Sequence, residues 1–215
     1  MRLAVLAGGA ALLASGAAMS AEEVTQETLK EDQEHVQSWN EFAEDLVALN
    51  ERILAQSDVK KSETLGGYHG MPEFYREVTY RDAATGELLS RVQWERENPD
   101  RLHAIEVYVR DGQGRLEVDY AAAFLPRYRN APVQTLVNVH AYNDGLHAFR
   151  QFDASGERIY EYCEGRYRGE PVQIRLFADD LEGFSRRAEK VMASEAYEAC
   201  FERAPKTAER YLDPL

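Results

Sequence analysis

The stretch His103-Ala104-Ile105-Glu106-Val107-Tyr108-Val109-Arg110-Asp111-Gly112-Gln113-Gly114-Arg115-Leu116-Glu117-Val118-Asp119-Tyr120 decides the fold. His103, Ile105, Val107 and Val109 alternate with Glu106, Tyr108 and Arg110, and beyond the turn Leu116, Val118 and Tyr120 alternate with Glu117 and Asp119. A period of two places one apolar row and one polar row on opposite faces, the pattern of half-buried antiparallel strands. Between them Asp111-Gly112-Gln113-Gly114 supplies the turn chemistry: glycine reaches positive φ without strain, and aspartate bonds the turn backbone with its side chain. Strands joined by so short a turn are neighbours in one sheet.

The same grammar extends both ways. Phe74, Val78 and Tyr80 share a face, and Leu88, Val92 and Trp94 alternate with Arg91, Gln93 and Glu95. Residues 134–142, 147–153, 158–164 and 171–177 supply four more strands. Asn98-Pro99-Asp100, Asn143-Asp144-Gly145 and Asp153-Ala154-Ser155-Gly156 punctuate them. The repeated Asp…Gly-x-Leu hairpins resemble bacterial MORN-type hairpin repeats in their turn residues; the spacing is irregular, and the resemblance implies no function.

Helical period brackets this region. Residues 22–57 read as an N-terminal amphipathic helix, with Val36, Trp39, Ala43, Leu46, Asn50 and Ile53 on three- and four-residue steps. Its seam allows a homodimer through residues 23–56. Phe42, Leu49 and Leu54 widen the stripe, which favours docking on a sheet. Residues 58–72, polar and glycine-rich, read as a connector, residues 73–177 as the β-meander, and residues 178–215 as a C-terminal helix and tail. The expected fold class is α+β: a curved antiparallel meander sheet of about eight strands, packed by the two helices.

Residues 1–21 have the layout of a cleaved signal peptide: Arg2, an uncharged apolar run, then small residues before Glu22 and Glu23. A retained membrane anchor is the alternative, but the Ala- and Gly-rich run has about the shortest length that spans. The expectation is export, to the periplasm in a Gram-negative cell and otherwise outside the cell, with no transmembrane segment after cleavage. In an oxidising compartment Cys163 and Cys200 are expected to form a disulfide, two buried free thiols being the alternative. That bond would close a loop of about 38 residues and contribute about 4 kcal/mol through loop-closure entropy. The formal net charge of −13 makes nucleic acid a poor partner. Between residues 64 and 177 every base is Arg, a residue suited to planar anions and aromatic partners. Cross-strand pairing with Glu and Asp explains the same Arg without a ligand.

Candidate chemistry is sparse. His103, His140 and His147 lie in the sheet, where a meander can bring two together, but no HxH, HxxH or HExxH spacing occurs, so no metal is expected. No serine stands in GxSxG or SxxK, and no cofactor fingerprint is present, so neither a catalytic residue nor a cofactor is expected. Arg127-Tyr128-Arg129 and Arg166-Tyr167-Arg168 each combine a stacking ring with two forked donors, which suits an anionic or carbohydrate ligand. Local pairing with carboxylates such as Glu164 or Glu170 is the competing account. The expectation is a non-enzymatic exported binding protein. It would carry an apolar or anionic ligand, or engage an envelope protein, through one face or the concavity of its sheet. An envelope polysaccharide hydrolase with an Asp/Glu acid–base pair, and an assembly component dimerising through the N-terminal helix, are the alternatives.

Overall fold

A computed structural model describes residues 34–126, 130–183 and 185–215. The leader and the part of the expected helix before Glu34 lie outside the described residues. Helix α1 (Glu34–Gln56) leads into nine strands. These are β1 (Val59–Tyr68), β2 (Met71–Asp82), β3 (Leu88–Glu95), β4 (Leu102–Arg110), β5 (Leu116–Ala123), β6 (Gln134–Asn143), β7 (Leu146–Phe152), β8 (Arg158–Tyr167) and β9 (Glu170–Phe177). Three short helices follow: α2 (Ala178–Leu181), α3 (Arg186–Met192) and α4 (Glu195–Phe201). Each strand pairs antiparallel with the next, and the sheet does not close, so β1 and β9 are its edges.

Two sequence expectations need correction. The polar stretch 58–72 is no connector: it forms β1 and the start of β2, which makes nine strands rather than eight. Residues 60–65 of β1 are exposed on both faces, so no apolar alternation marks the strand. Its backbone nevertheless pairs with β2 from Val59↔Asp82 to Tyr68↔Met71. Nor is the C-terminal region one helix. Gly183, at φ +85, breaks it after α2, and Ser185 and Ser194 cap α3 and α4 by accepting from the N–H of Ala188 and Tyr197.

Alternate residues of the strands build one apolar face. Phe42, Ala43, Leu46 and Leu49 of α1 pack on Ile105, Val107, Val118, Tyr120, Val137 and Phe152. Phe42 meets Tyr120 edge-on at 6.2 Å between ring centroids. Asn50, on the same stripe, accepts a 2.5 Å hydrogen bond from Ser90 Oγ, so the sheet satisfies its buried side-chain carbonyl. The stripe that would make a dimer seam is therefore buried in a single chain, with Val36 and Leu46 at 0% exposure. Further along that face Ala148, Cys163, Ile174 and Leu176 meet Ala188, Cys200 and Phe201 of α3 and α4.

A buried ion pair stands near this second cluster. Arg150 and Glu161 are register partners on β7 and β8, and Arg150 Nε donates to Glu161 Oε1 at 2.6 Å. Glu161 has no exposed surface, and its other oxygen accepts from Tyr197 Oη at 2.7 Å. Arg158 reaches Oε1 at 3.2 Å. Arg150 Nη1 donates to the carbonyls of Ala204 and Pro205 at 3.0 and 2.9 Å, and its guanidinium lies 5.1 Å over the Phe201 ring. The cluster thus ties two strands to α4 and the tail. Nearby, Cys163 of β8 bonds Cys200 of α4 with 6.1 Å between Cα atoms. The disulfide fits an oxidising, extracellular environment.

Glu161→Gln should destabilise the fold by about 3–5 kcal/mol, because it strands the buried Arg150 charge. Arg150→Met combined with Glu161→Leu should cost less than Glu161→Gln alone. Urea unfolding of the three proteins measures the difference. Replacing both cysteines by serine should cost about 2–4 kcal/mol in the same assay.

Candidate functional site

Because side chains alternate across a strand, burying Val137, Val139 and Ala141 of β6 turns Asn138, His140 and Tyr142 to the opposite face. The same parity places His147, Phe149 and Gln151 of β7 and Tyr160, Tyr162 and Glu164 of β8 beside them. Among the described residues no helix packs on this face; the contacts of α1, α3 and α4 lie on the other.

Five polar side chains form a continuous relay there. Gln151 Nε2 donates to Asn138 Oδ1 at 2.8 Å, and Asn138 Nδ2 donates to Asp119 Oδ1 at 2.7 Å. His140 Nε2 lies 2.7 Å from Asp119 Oδ2, and His140 Nδ1 lies 2.9 Å from His147 Nε2. The Asp119 carboxylate is an acceptor, so the network assigns the proton to Nε2 of His140. One hydrogen then bridges His140 Nδ1 and His147 Nε2, joining the two imidazoles. Burial, and next the neighbouring His140, hold the His147 pKa below its ordinary value, against the opposing pull of Glu164.

Aromatic rings continue the pattern across strands. Tyr142 stacks on His147 at 4.8 Å and 10°, and His147 on His140 at 5.2 Å and 12°. Phe149 lies 5.4 Å from His140 and 5.5 Å from Tyr162. It also stands 5.8 Å from Tyr160, which sits 5.1 Å from Phe177. Arg115 lies 4.6 Å over Tyr142, and Arg175 5.5 Å over Tyr162. The Tyr162 hydroxyl donates to Glu164 at 2.6 Å. Phe177, 60% exposed, ends the run. Each ring is held by its neighbours, so the strip is preorganised, while the Arg115 guanidinium is held by Asp111 at 2.9 and 2.7 Å.

The Arg-Tyr-Arg triplet that is described takes no part in the relay or the ring run. Arg127, Tyr128 and Arg129 lie outside the described residues. Arg166 and Tyr167 end β8, and Arg168 sits in the following turn at φ +52. Arg166 Nη1 donates to the Gly169 carbonyl at 2.8 Å, and Arg168 pairs with Glu195 at 2.6 Å while lying over Tyr167. The carboxylate that pairs with the triplet is thus Glu195, from α4. Of the three sheet histidines, His140 and His147 meet; His103 stands apart on β4, 2.5 Å from the Tyr68 hydroxyl and stacked on Tyr75. Asp180, beside Asp179 at the start of α2, accepts from the Phe177 N–H at 3.2 Å. Among the described residues no three His, Cys, Asp or Glu side chains are arranged to hold a metal ion. None of the helices among them is long and apolar enough to cross a membrane.

Motif spacing missed the relay because Asp119, His140 and His147 come from three strands. The signal was present in register: the polar positions of residues 117–121, 138–142 and 147–151 carry an acid, two imidazoles and two amides at facing sites. Comparison with protein families, curated proteins and solved structures finds no match.

His147 should titrate below 6.5 in the folded protein, as read by imidazole NMR. A folded pKa under the unfolded value means the unfolded chain binds the proton more tightly. This group's contribution to stability is therefore present above about pH 6.5 and is lost as pH falls through the folded value. His147→Gln should flatten that part of the stability–pH curve.

Proposed function

We propose that the chain is an exported, non-catalytic binding protein that engages a protein of the cell envelope through the helix-free aromatic face of its sheet. The observation that carries this reading is the run of touching rings from Tyr142 to Phe177 on the face opposite the helices. Tyr and Arg are enriched among the side chains that carry binding energy at protein interfaces, and Phe is enriched in interface composition. A row of them on an uncovered sheet face is an expensive surface to leave against water. The disulfide and the signal-like leader support export, to the periplasm where the cell is Gram-negative. Apolar packing against α1, α3 and α4 occupies the other face, which leaves the aromatic face for recognition.

A photo-crosslinking residue placed at Phe149 or Tyr162 should yield the same discrete protein adduct in the native envelope. The same group at Glu51, on the exposed side of α1, should yield none. Equal adducts from all three sites, or none from the two sheet sites, would contradict the proposal.

A further inference from the structure

We infer that the groove between β9 and α3 binds an extended acidic peptide segment, which adds to the sheet as a further strand. Strand β9 pairs with β8 on one side and ends the sheet on the other. The Phe177 N–H is turned to Asp180 Oδ2 at 3.2 Å, away from β8. In an antiparallel ladder inward and outward backbone groups alternate. Arg175 and Gln173 therefore present N–H and C=O groups along the same open edge. The opposite edge, β1, is defended by Lys60 and Lys61, as edge strands commonly are; β9 contains no lysine, and its Pro171 withholds an N–H only at the turn end, which leaves Gln173 and Arg175 as the open positions.

The surroundings of this edge select the occupant. A groove of about 280 Å3 runs along Gln173–Phe177 and is closed on its other side by Arg187, Ala188 and Val191 of α3. A shallower hollow of about 480 Å3 adjoins it, lined by Arg186, Arg187 and Lys190. Among the described residues none of these three cations makes an ion pair, although the chain as a whole is strongly acidic. Of the nearby acids, Asp180 is occupied by the Phe177 amide and Glu189 belongs to α3 itself.

An isolated anion would satisfy the cations and leave the strand edge unpaired. An extended peptide satisfies both. Side chains on one face of an added strand repeat about every 6.8 Å. Arg187 and Lys190, three apart on a helix, stand about 5–6 Å apart, close to that repeat. Acidic residues at alternate positions would therefore face the two cations while the peptide backbone pairs with Gln173 and Arg175. This is β-strand addition with charge selection; it uses the backbone edge and the α3 cations, and shares only Arg175 and Phe177 with the aromatic face.

The probe is an acetylated octapeptide alternating glutamate with valine, titrated into 15N-labelled full chain at low salt. The amide signals of Gln173 and Arg175 should shift and saturate, while a lysine–valine counterpart leaves them unmoved. Arg187→Glu with Lys190→Glu, both at exposed positions, should weaken binding at least about tenfold. N-methylation of alternate peptide residues facing β9 should weaken it similarly. Phe149→Ser should leave it unchanged, which separates this site from the aromatic face. Absence of saturable shifts, or equal binding of the N-methylated probe, would overturn the inference. So would a response to phosphatidylglycerol vesicles and not to the peptide.

Discussion

Arg150 and Glu161 meet in a 2.6 Å hydrogen-bonded ion pair within the covered side of the sheet, and the C-terminal architecture depends on that contact. Taking two charges out of water is costly, and the arrangement answers the cost with partners. Arg158 and Tyr197 complete the carboxylate, while the carbonyls of Ala204 and Pro205 and the Phe201 ring complete the guanidinium. These partners come from β8, α4 and the tail, so the pair is satisfied only when the C-terminal segment lies on that face. An apolar cluster alone would set no such unique register, and the Cys163–Cys200 bond holds α4 to the same strand as Glu161.

The aromatic surface follows by alternation. Once Arg150, Ala148 and Phe152 of β7 point into the covered side, His147, Phe149 and Gln151 point out. Similar parity on β6 and β8 brings His140, Tyr142, Tyr160 and Tyr162 alongside. The outward rings stack on one another, and the Asp119–His140–His147 relay fixes the imidazoles at one end of the strip. That relay gives the surface a response to acid: protonating His147 would place a positive charge at a half-buried position, against the desolvation that holds its pKa down.

Much of this was legible in the sequence. Alternation and turn residues located β2 to β9, and an even cysteine count behind a signal-like leader pointed to the disulfide. Strand β1 escaped because both of its faces are exposed, so hydrophobic period carries no signal there. The last helices were read as one because their apolar stripe is continuous; only Gly183 and the two serine caps divide it. The Arg-Tyr-Arg triplets drew attention as local motifs, and Arg166-Tyr167-Arg168 is engaged by its own turn and by Glu195. The relay and the ring run are assembled across strands at positions that look merely polar one strand at a time. They become visible when the strands are set in register.

One face of the sheet is sealed by helices and the other presents an aromatic strip. Hydroxyl-radical footprinting of the full chain, read by mass spectrometry, tests it directly. Tyr162, Phe149 and Phe177 should be oxidised readily, and Phe42, Phe152 and Phe201 should be protected until the protein unfolds. Oxidation of Phe42 and Phe152 as fast as Phe149 and Tyr162 would contradict the account.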